Sequence, residues 1–299
     1  MLYRALAAVS FVLAASAGAQ RVPGRDLLTF PLGLAGEAAA FGTGPAGGFW
    51  NPATAVLGPG EKGRIAGAAL SAPIDLALTG QVFTGSARPR TLARIGTFSL
   101  GIAHAAITDL VHTETDPQSV GNDIPYSTWV VSLGASRKVS EHVTAGAAAR
   151  WHTGHVGTAR HSEIATDAGV VFDRLTRRDV RIAASSFLLT LDAKDSPALA
   201  LAADARIAGT DSARVLRGGI GYVRARGAAV ETYPFLDGRV GKLGIRGGPV
   251  RVDAYGSVTW RMRLAILIHH AGYTLGVVRE DNESGIAPTY QLGVTSVFR

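Results

Sequence analysis

The 299-residue chain contains no cysteine. That absence excludes disulfides and thiolate metal sites, and it leaves no thiol for lipid attachment. Long apolar runs are missing too. After residue 19 no stretch of about twenty apolar residues occurs, so no helical membrane span is expected. Charge is sparse, at 18% of residues, with a net value of +7 that becomes +6 without Arg4. A basic balance can mark a nucleic-acid binder. Here Lys and Arg are scattered singly, with no interleaved aromatic stripe, so nucleic acid is not expected as a partner. Contact with anionic lipid head groups, or a basic lumen, explains the charge more simply. No nucleophile elbow and no phosphate-binding glycine loop occurs. The expectation is therefore a protein that is not an enzyme, with no catalytic residues and no cofactor.

What the chain does have is alternation. Hydrophobic residues make up 47% and glycines number 37, yet no long apolar run results, which suits strands with one greasy face. The C-terminal stretch is the clearest case. Tyr290, Leu292, Val294 and Phe298 alternate with Gln291, Gly293, Thr295 and Val297. A strand of this kind, with an aromatic at its edge, closes a transmembrane β-barrel. In 127–136, Trp129, Val131, Leu133 and Ala135 oppose Thr128, Val130, Ser132 and Gly134. In 143–152, the row from Val143 to Trp151 opposes Thr144, Gly146, Ala148, Arg150 and His152. In 250–261, Val250, Val252, Ala254, Val258 and Trp260 oppose Arg251, Asp253, Tyr255, Ser257, Thr259 and Arg261. A wet lumen accepts arginines on one face of strand after strand. Arg150, Asp167, Arg217, Arg251, Asp253 and Arg261 are therefore expected to face the lumen, pairing with one another or holding an anionic head group of an amphipathic cargo.

The expected fold is an all-β transmembrane antiparallel barrel of about fourteen strands. Residues 1–19 read as a secretory signal peptide: Arg4, an apolar run from Ala5 to Ala15, and a small-residue cleavage site at Ala17–Ala19. Residues 20–60 are rich in Gly, Ala and Pro and lack a period of two; 61–299 form the barrel. Short turns are expected at Arg137–Glu141, Leu175–Arg178, Thr210–Ala213 and Arg261–Arg263. Longer connections are expected at Thr108–Asn122, His155–Ser162, Thr190–Ser196 and Arg279–Ala287. The loop carrying Asp109, Glu114 and Asp116 has irregular ligand spacing, which favours a solvated loop over a cation site. His152, His155, His161 and Glu163 form the densest histidine cluster. Neighbours three apart on a strand point to opposite faces, so a metal site is not expected there either.

Leu34-Ala-Gly-Glu-Ala-Ala-Ala-Phe-Gly42, followed by Gly48-Phe49-Trp50-Asn51-Pro52-Ala53, resembles the opening of the long-chain fatty-acid transporter (FadL-like) superfamily of outer-membrane barrels. More narrowly it resembles the PorV/PorQ-type branch. The resemblance implies that residues 20–60 fold into the lumen as a plug, with Trp50 inside the cylinder. Trp129, Trp151 and Trp260 should lie outside, near the lipid interfaces. Elementary helix chemistry supports a compact turn at the motif. Asn51 suits an N-cap, Pro52 the first helical position, and Gly58 a left-handed end.

Two functions follow as expectations. One is passive transport of a hydrophobic or amphipathic small molecule through a plugged barrel in the outer membrane of a Gram-negative-type bacterium. The other, implied by the PorV-type resemblance, is a platform for protein secretion or surface attachment. Expected partners are outer-membrane lipids and lipopolysaccharide, the barrel-assembly machinery, and a hydrophobic ligand or secretion partner. A soluble β-sandwich is the competing architecture.

Overall fold

The computed structural model describes residues 22, 32–72, 77–92, 94–108, 111–113, 120–189, 198–211, 213–224, 230–254, 256–282 and 286–299. The expected signal peptide, the Thr190–Ser196 connection and Asp109, Glu114 and Asp116 lie outside the described residues. Strands alternate with turns along the chain: β1 (Gly63–Ser71), β2 (Leu78–Ala87), β3 (Thr97–Ile107), β4 (Val111–Thr113), β5 (Val120–Asp123), β6 (Tyr126–Lys138), β7 (Val143–Val156) and β8 (Ala159–Phe172). They continue as β9 (Arg181–Leu189), β10 (Ala198–Asp211), β11 (Arg214–Arg224), β12 (Val230–Val240), β13 (Leu243–Ala254), β14 (Ser257–His270), β15 (Tyr273–Glu280) and β16 (Thr289–Phe298). Strands β4 and β5 form a separate hairpin within the connection from β3 to β6. The other fourteen close into one antiparallel barrel. Closure is made by β1 on β16, in register from Gly63 opposite Phe298 to Ser71 opposite Tyr290. A closed sheet leaves no edge of unpaired backbone, the condition for strands to cross hydrocarbon.

The end of the barrel that holds the start of β1 and the end of β16 is the terminal end; the opposite one is the loop end. Turns of two residues join β10 to β11, β12 to β13 and β14 to β15 at the terminal end, while the connection that carries the β4–β5 hairpin leaves from the loop end. Two expected connections are corrected. Arg261–Arg263 is no turn but part of β14, where carboxylates inside the barrel partner Arg263. His155–Ser162 is no long loop: β7 runs to Val156, β8 begins at Ala159, and Gly157 supplies the positive φ of +56° for a tight hairpin.

The outer face is apolar. Leu133, Ile164, Ile220, Leu236, Ile245, Ile266 and Leu292 stand 43–63% exposed around the wall. Such a belt is incompatible with water and is solvated by lipid tails. Trp129, Trp151, Trp260 and Tyr290 lie outward toward the loop end, while Tyr273 and Phe298 lie outward at the terminal end. These are the two aromatic girdles of an outer-membrane barrel, and the protein resides in that membrane. Along β16, Tyr290, Leu292, Val294 and Phe298 face out, while Gln291, Gly293 and Thr295 face in.

The inner face holds a buried cluster in which Val82, Val130, Phe187, Tyr233, Val250 and Val252 meet residues of the 32–58 segment. This fixes a correction. Val250 and Val252 face inward, so Arg251 and Asp253 face outward, half-exposed and paired with each other at 3.5 Å. Alternation separates the two rows of a strand without saying which faces lipid. Near the loop end of β13 the outer row has passed the hydrocarbon and can carry charge.

Candidate functional site: a plug seated in the lumen

Residues 32–58 lie inside the barrel and pack against inward wall side chains. The Asn-Pro-Ala motif forms one 3-10 turn, Pro52–Ala55, in which Asn51 Oδ1 accepts from Ala53 N at 3.0 Å. Asn51 Nδ2 donates to Ala40 O at 2.8 Å, so one amide ties two parts of the plug together. Thr54 Oγ1 donates to Gly42 O at 2.7 Å and accepts from Gly48 N at 3.0 Å. The expected left-handed end at Gly58 is not formed. The turn closes at Val56 with φ −56°, and the next amide, Leu57 N, donates to Thr97 Oγ1 on β3 at 3.2 Å.

The turn is seated in a notch in the wall. Gly146 and Gly169 are direct partners across β7 and β8. A Cβ on Gly146 would come within 2.5 Å of Ala53 N, and one on Gly169 would overlap Asn51 Oδ1. Two facing glycines therefore let the plug backbone lie against the wall backbone, the use for which glycine in a strand is suited. Around this notch the packing is dry. Trp50 is 1% exposed, stands edge-on to Phe187 at 5.2 Å between centroids, and donates from Nε1 to Leu32 O at 3.0 Å. Phe49 lies under the Arg150 guanidinium at 4.3 Å, and Phe49 O accepts from Arg150.

Arg150 is also ion-paired with Asp167, both wholly buried, and Asp167 accepts from Leu188 N at 2.9 Å. The other inward positions form further groups. Arg217 meets Asp204 at 2.8 Å and Asp179 at 2.7 Å, and Asp204 also takes Arg181. Arg263, on the inward row with Arg261, bridges Glu280 at 2.8 Å and Glu231 at 3.2 Å. Of the residues anticipated from alternation, Arg150, Asp167, Arg217 and Arg261 are inside, while Arg251 and Asp253 are not. Burying Arg150, Asp167, Arg217 and Arg263 is tolerable because each is paired with an opposite charge.

Sequence reasoning missed Arg246, Arg181, Asp204 and Glu280. Arg246 lies in the Gly-rich stretch between 218 and 248, where period-two patterning is hard to segment. It pairs with Asp237 at 3.0 Å and with Glu37 of the plug at 3.1 Å. Glu37 in turn accepts from Thr43 Oγ1 at 2.8 Å, Thr43 N and Gly44 N. On the same side Tyr233 donates to Gly36 O at 3.0 Å. Here the fit is looser: a cavity of about 200 Å3 remains between the plug and the wall from β13 to β1.

His152 lies between Thr128 Oγ1 and Glu163 Oε1, each at 2.7 Å. The order hydroxyl, imidazole, carboxylate is that of a nucleophile relay. Thr128 is wholly buried, however, so no substrate carbonyl reaches Oγ1, and the chain braces β6 to β8. Among the described residues no three His, Asp or Glu side chains converge as a metal site.

No protein-family model and no curated protein matches the chain. Solved structures do. The toluene transporter TodX of Pseudomonas putida superposes with a TM-score of 0.62, at 10% identity, over 94% of this chain and 98% of its own. The toluene transporter TbuX of Ralstonia pickettii gives 0.59 at 12% identity, covering 93% and 100%. The CymD monoaromatic hydrocarbon channel gives 0.54 at 13% identity, covering 93% and 98%. The chain shares the fold of these outer-membrane barrels.

Proposed function

We propose that the protein is a passive outer-membrane channel for a small hydrophobic or amphipathic molecule, gated by residues 32–58. One observation carries the reading: a chain segment separate from the strands occupies the lumen and is hydrogen-bonded to the wall. A segment so held can move while the barrel stays intact. Neighbours that share the fold are named as transporters of toluene and a channel for monoaromatic hydrocarbons, which supports the same class of cargo. The PorV-type platform reading has the Phe49–Ala53 motif in its favour and no further observation. The transport reading makes the protein a conduit, not an enzyme.

A redox lock tests the gate, since the chain has no cysteine of its own. A Cβ on Gly276 would stand 3.6 Å from Ala35 Cβ, within the span that a disulfide bridges. In liposomes, Ala35→Cys/Gly276→Cys protein should lose flux of monoaromatic solutes when oxidised and regain it with reductant. Full flux in the oxidised state overturns the moving-plug reading. Background flux in the unmodified protein, and equally after deletion of residues 21–58, overturns transport itself.

A further inference from the structure

The cavity beside the plug is built from strand ends. Arg64 is the second residue of β1, His269 the second-last of β14, Thr274 the second of β15 and Val297 the second-last of β16. It therefore lies at the terminal end of the barrel, where a solute passing the plug would leave. Its volume is about 200 Å3. Gly276 and Gly293 on its wall let the plug approach closely, since an added Cβ would stand 3.6 Å from Ala35 Cβ at Gly276 and 2.6 Å from Pro45 Cγ at Gly293.

Each of its charged groups already has a partner of opposite sign. Arg64 pairs with Glu61 at 3.2 Å. Arg246 pairs with Glu37 at 3.1 Å and Asp237 at 3.0 Å, and donates to Ala35 O at 3.3 Å. An incoming anion has to draw one of these arginines off its carboxylate. An incoming cation has to draw a carboxylate off Arg246. Either exchange adds the desolvation of the new charge and returns no extra pair. Neutral groups are easier to satisfy. The hydroxyls of Thr43, Thr274 and Thr295 line the space, and a hydroxyl has one donor and two acceptor sites. His269 Nδ1 and Thr274 Oγ1 share a bond of 2.9 Å, which fixes the imidazole beside the hydroxyl. Leu267, Pro45 and Val297 supply apolar surface.

We infer that this cavity is a binding station for one small uncharged amphiphile, a single ring carrying one hydroxyl-type substituent. An apolar cavity of about 150 Å3 takes up benzene, so the space here suits a ring plus one polar group and little more. The inference rests on the transport reading, whose cargo class it narrows: the polar end meets hydroxyls and imidazole, and the ring meets the apolar patch.

The test uses the full chain in detergent with 4-fluorobenzyl alcohol, 4-fluorobenzoate and 4-fluorobenzylammonium as fluorine NMR probes. The alcohol should bind saturably, and both ions at least tenfold more weakly. Val297→Trp fills the cavity from its mouth and should weaken binding of the alcohol at least tenfold; Thr274→Leu removes a polar partner and should weaken it severalfold. Both variants are checked for unchanged thermal unfolding, and if one fails to fold the other carries the comparison. Equal or tighter binding of either ion, or binding of the alcohol indifferent to whichever variants fold, overturns the assignment. Liposome flux on the same preparations separates the two claims. Flux without saturable binding removes the station and leaves transport. Variant-sensitive binding with background flux removes transport and leaves the station.

Discussion

The two walls that touch the plug hold it by different means. Against β6–β9 the plug is fitted by shape: Asn51 and Pro52 lie in the Gly146–Gly169 notch, and Trp50 and Arg150 are buried to within 1%. Against β12–β16 and β1 it is held by polar contacts, Arg246 to Glu37 and Tyr233 to Gly36, with open volume between. The first kind of contact is costly to undo, because separation leaves dry polar groups without partners. The second is cheaper at Arg246 and Glu37, which are partly hydrated and can exchange one partner for water. On the proposed gating, a plug held in this way would swing from the β12–β16 side, with the Asn-Pro-Ala turn as its fixed point. The same difference explains why the cavity lies where it does.

The sharpest way to break this comparison is to fill the notch. In Gly146→Ala/Gly169→Ala the new methyl groups overlap plug backbone and Asn51 Oδ1, whose amide is held by its bonds to Ala40 O and Ala53 N. Overpacking costs about 1–3 kcal/mol per site, enough together to unseat the turn. Maleimide labelling of an added Ala40→Cys, a fully buried position, should accelerate at least a hundredfold in this background. Unchanged labelling would show that the turn is not the anchor. A second test concerns the buried pair. Arg150→Met leaves Asp167 with Leu188 N alone in a dry site, and breaking a buried pair costs about 3–5 kcal/mol. Urea unfolding in detergent should show that loss, and Arg150→Met/Asp167→Leu should recover most of it. A double variant no more stable than the single one would mean that Arg150 acts through Phe49 instead.

How much of this could be read in the sequence divides along the same line. The outer face was legible because its period of two is enforced by lipid on every strand: Trp129, Leu133, Leu292 and Phe298 stand where alternation puts them. The strand total followed from the same pattern. The motif Phe49–Ala53 was legible as a compact unit, since Asn51 and Pro52 have chemistry suited to a turn start. The side of Arg251 and Asp253 was not, because alternation gives rows without a sign, and only the packing of Val250 and Val252 on the inner cluster supplies it. The notch was not either. Gly146 and Gly169 are 23 residues apart, and their meeting depends on a register that one strand alone does not specify. Arg246 and Glu37 are far apart in the chain and meet only once the barrel closes around the plug.

Smaller effects sharpen the contrast. Asn51→Ala removes the bonds to Ala40 O and Ala53 N, and should cost about 1–3 kcal/mol in the same urea measurement. On the opposite wall Glu37→Gln keeps size and shape but gives up the charge facing Arg246, which retains Asp237. Both partners are 12–13% exposed at the side chain, so the pair is partly hydrated and its loss should cost about 1 kcal/mol or less. Flux should then rise modestly, since the swinging side has lost one of its ties. Gly276→Ala is expected to do least. Its added methyl would lie 3.1 Å from the end of Leu267 and 3.6 Å from Ala35 Cβ, facing space that can absorb it. A loss of stability from Gly276→Ala as large as that from Gly169→Ala would show the two walls to be equally tight, and the hinged reading of the plug would fail with it.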